Sequence, residues 1–417
     1  MSEKETLRTL SENICRKIDV GTAVLPKPLF TEYDDDQMGC ATVACAASSD
    51  DPDISSSGMG DTTYAKIVSS EFNSIVVEHH LKWAPLCETL PGPIDEKTPS
   101  NRLGRYDFSH VDRIVDWAID RNMKVKGHVL VWHVTTPSWV ESMSSEEIRQ
   151  AIKRHIFTTM GHFQGRIKYW DVVNESLAPD GSLAENIFLK KLGPSYIEQC
   201  FRWAHKADPT AFLIYNDNKV EAMNGPNKNK ADGFYKLLKR LVSNEVPIHG
   251  AGMQAHFNAG GVGERQRVPT PLQVKDQIRR IGELGLKVNI SEMDVRVSKL
   301  EGSTELKTMA QKQIYHDIIA AALTEAAFEG VWLWGFSDRH TWVKNFYYDD
   351  APLIFDEKYD RKPAYFALRS AIGTLAIGGT VGGGVLLDKV DKDGKSWGSD
   401  WMPAQPKEDE NALSGDN

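Results

Sequence analysis

Two glutamates close short apolar runs, Glu175 at the end of WDVVNE and Glu292 within ISEMD, and both stand among side chains that bond carboxylates and hydroxyls. A pair of this kind can break a glycosidic bond with retention of configuration. One carboxyl group, protonated before cleavage, gives its proton to the departing oxygen. The other, ionised and roughly 5 to 5.5 Å away, attacks the anomeric carbon. Asn174 precedes the candidate acid, Glu175, and can donate a hydrogen bond to a sugar 2-hydroxyl. His256 can hold Glu292 ionised, and Asp294, just beyond Glu292, is placed to tune His256 or the nucleophile.

Groups so far apart in sequence need a scaffold that brings them together. Eight apolar, β-rich runs recur: IDVGTAV from Ile18, FNSIVVE from Phe72, KVKGHVLVW from Lys124, IKYWDVVNE from Ile167, AFLIYND from Ala211, IHGAGMQAH from Ile248, LKVNISEMD from Leu286 and VWLWGF from Val331. Their starts lie roughly 35 to 55 residues apart, and helical patterns such as HVDRIVDWAIDRN from His110 and VKDQIRRIGELG from Val274 separate most of them. Strand and helix alternating eight times predict a (β/α)8 TIM barrel, whose active site is built at the carboxyl ends of its strands. Chemistry-bearing residues fall at those ends: Glu78 with His79, His80 and Lys82; His128, Trp132 and His133; Asn174 and Glu175; Asn216 and Asp217; Gln254 and His256; Glu292 and Asp294; Trp334, with Trp342 beyond it. One charged strand end is usually a cap or a surface group; seven ends alike point to a single site. Lys82 and Gln254 offer hydrogen bonds to hydroxyls, and Trp132, Trp334 and Trp342 offer flat apolar faces for pyranose rings, whereas Trp332 fits the core.

With 41% hydrophobic and 26% charged residues, the 417-residue chain has apolar material for one large core. Its net charge of -9 is spread without a basic stripe, which argues against nucleic acid as a partner. The chain has no run of eighteen apolar residues, so no membrane span is expected, and MSEKETLRTL does not read as a signal peptide; the compartment stays open. No cofactor or metal is expected: a metal-dependent barrel typically needs a His-x-His pair ending its first strand, and IDVGTAV has no histidine. His79 and His80 are adjacent, so on any strand they point to opposite faces. The catalytic barrel is expected over residues 1–375, with an Asp-, Ser-, Ala- and Gly-rich insertion at about 34–61, followed by a Gly-rich linker and polar tail over 376–417. Five cysteines are too scattered for a disulfide framework, although Cys40 and Cys45 are close enough to bridge outside the cell.

GHVLVWH, WDVVNES, GMQAHFN, ISEMDVR and WLWGFSDRHTW, in this order, resemble the signature segments of glycoside hydrolase family 10, the barrel xylanases. The resemblance runs roughly from Ile18 to Gly373 and takes in EHHLKW and the closing RKPAYFAL. It implies a retaining endo-β-1,4-xylanase, extracellular and monomeric, acting on a polysaccharide, with Glu175 as acid/base and Glu292 as nucleophile. By the same resemblance Lys82, His128, Trp132, Asn174, Gln254, His256, Trp334 and Trp342 line the sugar subsites beside the scissile bond, with Glu78 and His79 next to them.

The chain also departs from the family's pattern. His79 stands where Asn usually follows the Glu of the second strand, WHVTTP places Thr135 where Gln is usual, and NDNK replaces NDYN with Asn218 and Lys219. The first two changes fall on the glycone side and the third on the aglycone side. They predict discrimination against plain linear xylan, in favour of a decorated or mixed-linkage xylan or another β-glycan. His79 is further expected to gain charge below about pH 6.5. A non-catalytic glycan-binding barrel, the alternative from another class, would be expected to lack a catalytic carboxylate, and both are present.

Overall fold

All eight apolar runs become staves of one closed parallel barrel. The computed structural model describes residues 5–13, 16–30, 62–87, 106–223, 225, 227–260 and 268–376. From β1 (Asp19–Val24) the ring passes through β2 (Ser74–Val77), β3 (Lys124–Gly127), β4 (Tyr169–Asn174), β5 (Phe212–Asp217) and β6 (Gly250–Met253). A short β7 (His256–Asn258) continues the sixth stave beyond Gln254 and Ala255. β6 and β7 both pair with the long β8 (Lys287–Arg296), and β9 (Phe328–Leu333) joins β8 back to β1. The expected (β/α)8 barrel is therefore the fold.

Parallel strands covered on both faces read as unbroken apolar runs rather than alternating ones, and β1, β2 and β6 are buried along their whole length. The intervening helices are delimited by their own sequence. Ser144 and Glu147 form a reciprocal capping box before the helix Ser145–His162, and Thr270 and Gln273 do the same before Pro271–Gly282. Each box supplies partners for backbone N–H groups that the first turn leaves unpaired. The helix Ser109–Asp120 turns Val111, Ile114, Val115 and Ala118 onto the barrel, the 3.6-residue spacing seen in its sequence. Helix Pro363–Ala376 packs against Thr304–Leu323 and against the N-terminal helix Leu7–Asn13.

The last stave starts earlier than the apolar run VWLWGF indicates, at Phe328, because Glu329 masks the strand's beginning. Gly330 is needed there: a Cβ at this position would lie 2.3 Å from the carbonyl oxygen of Asp19 on the neighbouring β1. Trp332 is in the core, as expected, with its indole N–H donating to Ser74 Oγ at 3.0 Å, and Trp334 lies just past the strand end. The insertion at 34–61, the tail over 377–417 and the cysteines Cys40 and Cys45 lie outside the described residues. Among the described residues no helix is long and apolar enough to cross a membrane.

Candidate active site

At the carboxyl ends of the strands opens a cleft of about 790 Å³, and Glu292 lies in its wall. The register between β8 and β9 shifts between Ile290 and Met293, a bulge that re-aims the side chains within it. Glu292 is 4% exposed and its carboxylate is held from several sides. Asn216 Nδ2 donates to Oε1 at 2.7 Å, His256 Nε2 donates to Oε2 at 3.2 Å, and His128 Nδ1 lies 3.9 Å from Oε1. Burial by itself would raise the carboxyl pKa. His128, the hydrogen bond and charge of His256, and Lys126 outweigh it and hold Glu292 down at about 2.

His256 is the other half of this balance. Burial favours its neutral ring, but Asp294, by charge and by a 2.7 Å hydrogen bond from Nδ1, together with Glu292, raises it to about 10. As an imidazolium it donates from both nitrogens, one to each carboxylate. Asp294 is fully buried behind the ring and also accepts from Trp342 Nε1 at 2.8 Å. On the opposite flank Asp171 Oδ2 accepts from His128 Nδ1 at 2.9 Å and from Lys126 Nζ at 2.6 Å. Two histidine–aspartate pairs thus bracket the same glutamate.

Glu175 follows the end of β4 with φ of +54°, a left-handed conformation that non-glycine residues seldom hold without a surrounding structure to enforce it. Its own N–H donates to the carbonyl of Asn216 at 3.0 Å. Its carboxyl group receives Trp132 Nε1 at 3.0 Å on Oε2 and Gln254 Nε2 at 2.7 Å on Oε1. Asn174 Oδ1 accepts from Asn216 Nδ2 at 3.0 Å and from Gln254 Nε2 at 3.2 Å. One amide relay therefore runs from Glu292 through Asn216, Asn174 and Gln254 to Glu175, and it leaves the Asn174 amide nitrogen to the cleft.

Every residue singled out from the sequence as substrate-binding lines this cleft: Glu78, His79, Lys82, His128, Trp132, Gln254, Trp334 and Trp342. Asn174, Glu175, His256 and Glu292 line it too, whereas Asp294 sits behind the wall. Lys82 Nζ lies 5.1 Å from the ring centroid of Trp132 and 5.8 Å from that of Trp334, so the cation and two indoles form one corner. Burial pushes Glu78 up to about 7, with Lys82 pulling it down and Glu292 pushing it further up.

His79 does not gain charge below pH 6.5. Burial, reinforced by Lys82, lowers it to about 4, so the ring is neutral over the ordinary working range. Its Nε2 and the Thr135 hydroxyl are both buried in the cleft wall without a hydrogen-bond partner among the described residues. His80 faces away from the cleft and stacks on His110 with centroids 4.9 Å apart. Asn218 is not a free surface: its Oδ1 accepts from Lys230 Nζ at 2.8 Å, and that lysine also pairs with Asp217 at 2.8 Å.

Asn216 stands at a strand end that the sequence marks without giving it a role, and Lys126, Asp171 and Glu221 are site residues that the sequence does not single out. Lys126 and Asp171 carried a usable signal, since a charge inside an otherwise apolar strand is costly unless it is paired. Glu221 carried none: it lies past the strand, in a stretch that reads as loop.

A cleft at the mouth of a parallel barrel, holding one carboxylate fixed as an ion opposite a second carboxyl group, is the equipment of a glycoside hydrolase. The chain matches the model of glycosyl hydrolase family 10 over residues 38–371, and it belongs to that family. It is 36% identical to the endo-1,4-beta-xylanase B of Thermotoga neapolitana, over 73% of this chain and 82% of that one. Identity to a beta-1,4-xylanase of Dictyoglomus thermophilum is 33%, over 73% and 83% of the two chains. Among solved structures, xylanase 10B from Thermotoga petrophila RKU-1, in complex with xylobiose, superposes with a TM-score of 0.73 at 30% identity, over 90% of this chain and 99% of that chain.

Proposed function

We propose that this glycoside hydrolase cleaves internal β-1,4-xylosidic bonds of xylan by double displacement, with Glu175 as general acid and base and Glu292 as nucleophile. One observation carries the assignment: Glu292 is held ionised by an imidazolium and an amide, while Glu175, in the same cleft, receives only neutral N–H donors. Glu175 protonates the leaving oxygen as Glu292 attacks the anomeric carbon, and the sugar becomes covalently bound to Glu292. Glu175 then takes a proton from water, which attacks the same carbon and releases a product of retained configuration. The Asn174 amide donates to the sugar 2-hydroxyl. Trp334 and Trp342 supply apolar faces, and Lys82 and Glu78 bind hydroxyls further along. Xylan as the substrate is supported by the names of the relatives and by the xylobiose complex of the Thermotoga petrophila enzyme.

Purified protein should release xylo-oligosaccharides of mixed length from xylan and leave cellulose and mannan intact. Release of only monomer, or equal action on the other polymers, would overturn the reading. A second reading, preference for a branched or mixed-linkage xylan, is favoured by the unpartnered His79 Nε2 and Thr135 Oγ1 in the cleft wall. Both residues line the cleft, and they stand where the family's usual pattern has Asn and Gln.

A further inference from the structure

Glu221 bonds neither catalytic carboxylate, yet it is buried in the wall of the same cleft. It follows β5, and its Oε1 accepts a 2.8 Å hydrogen bond from the backbone N–H of Ala255. Ala255 lies in the break between β6 and β7 with φ of +62°, which an alanine holds only when its surroundings impose it. The flanking backbone still has strand partners: Gln254 N–H donates to Asp217 O at 3.1 Å, and Glu292 N–H donates to Gln254 O at 3.0 Å. Ala255 has left that pattern, and its buried N–H needs an acceptor, which Glu221 provides. The anchor is itself held, because Gln277 on the helix Pro271–Gly282 donates to the carbonyl of Val220 at 2.6 Å.

The residues on either side of Ala255 are the two that reach the catalytic pair. Gln254 donates to Glu175, and His256 donates to Glu292. We propose that Glu221 is a positioning residue which, by fixing Ala255 in its left-handed turn, sets Gln254 and His256 and through them both catalytic carboxylates at once. This rests on the assignment of Glu175 and Glu292 given above. The required property is reach rather than charge. An amide oxygen accepts an N–H as a carboxylate oxygen does, and burial pushes the Glu221 carboxyl up, against the pull of the Ala255 N–H.

Reach and charge separate in three variants, Glu221→Gln, Glu221→Asp and Glu221→Ala, assayed on linear xylo-oligosaccharides for kcat, KM and the pH profile of kcat/KM. Gln keeps the length and an acceptor oxygen and should stay within about threefold of wild type. Asp keeps the charge but is one methylene short, and it should behave like Ala. Both should lose roughly 10- to 100-fold in kcat, the cost of displacing reacting groups by about an ångström. Their acid limb should move to higher pH, because a displaced His256 no longer holds Glu292 ionised. Loss in Gln with retention in Asp would overturn the proposal in favour of a charge requirement. Folded variants whose melting temperature falls while kcat and the acid limb stay at wild-type values would overturn it in favour of a structural role. Should Asp and Ala fail to fold, Gln decides alone: a near-wild-type profile supports the proposal, and a loss of more than about tenfold overturns it. A wild-type enzyme inactive on every β-xyloside would overturn the functional reading instead.

Discussion

The surroundings of Glu292 and of Glu175 differ in kind, although one amide relay joins them. Around Glu292 the charges are numerous and buried: the His256 imidazolium with Asp294 on one side, and His128 with Asp171 and Lys126 on the other. Around Glu175 no cation makes direct contact among the described residues; an indole and an amide donate to it, and the backbone turns left-handed beneath it. A nucleophile must remain ionised while sitting in a site that excludes water, and only compensating charge offsets that desolvation. An acid that becomes a base within one turnover needs the opposite, partners that do not commit it to either state. The contrast is what supports the proposed roles, and it can be broken at each end.

The largest effect is expected at the charged end. Glu292→Ala should lower kcat by about ten-thousand-fold or more on every substrate, the scale on which loss of a nucleophile is felt. In the wild-type protein a 2-fluoro xyloside should leave its label on the peptide containing Glu292, since fluorine slows breakdown of the covalent intermediate. Label on a different carboxylate, or a first product of inverted configuration, would break the comparison outright.

At the neutral end, loss should depend on the leaving group. Glu175→Ala should slow xylan hydrolysis by roughly 100- to 10,000-fold, yet leave the first step on an aryl xyloside with an activated leaving group almost untouched, because that group needs no proton. Stopped-flow release of the phenolate measures this step directly. Equal losses on both substrates in a folded variant would remove Glu175 from the role of acid.

A smaller effect tests what the charges around Glu292 accomplish. In His256→Asn the carboxylate loses a hydrogen bond and a neighbouring charge while burial remains, so its pKa rises from about 2 and the acid limb of kcat/KM moves to higher pH. An unmoved limb would mean that His128 and Lys126 suffice. Stability gives an independent reading with the opposite dependence. His256 is raised to about 10, above its unfolded value near 6.5. Its contribution is therefore complete below about pH 6.5 and is lost as pH rises through about 10. The gap in melting temperature between wild type and His256→Asn should accordingly narrow over that window, and a gap that is constant from pH 6 to 10 would sink the imidazolium assignment.

How much of this could be read from the sequence follows from the range over which each feature is encoded. The staves were legible because parallel strands buried on both faces are mainly apolar, and the two glutamates proposed as catalytic because polar residues recur where those strands end. Strand boundaries were less so: Glu329 concealed the start of β9, and the break at Ala255 has no local marker, alanine being an ordinary strand residue. Most hidden were the partners. That Asp171 serves His128 and Lys126, or that Glu221 serves Ala255, depends on side chains from different staves meeting across the barrel, and spacing along one chain does not specify such meetings. His79 shows the limit in energetic terms, since its residue type implies titration near pH 6.5 whereas its burial lowers it to about 4.

The smallest effect concerns the wall rather than the centre, where His79 Nε2 and Thr135 Oγ1 stand unpartnered beside a fully engaged catalytic relay. If these residues set the preference among xylans, His79→Asn with Thr135→Gln should restore hydrogen bonds to an unbranched chain. Two neutral bonds, each contributing about 0.5 to 1.5 kcal/mol, correspond to a gain of roughly 5- to 160-fold in kcat/KM on linear xylo-oligosaccharides. Asn218 is best left alone, because replacing it by tyrosine would remove one acceptor of the buried Lys230, which also pairs with Asp217, and mix a stability loss into the readout. The gain should also be the same at pH 5 and pH 8, since His79, at about 4, is neutral across that span. A gain that appears only at the lower pH would point to a charged His79, against the effect of burial. A folded double variant with an unchanged or lower rate would show that the wall does not set the preference and that the chain handles linear xylan with its present residues.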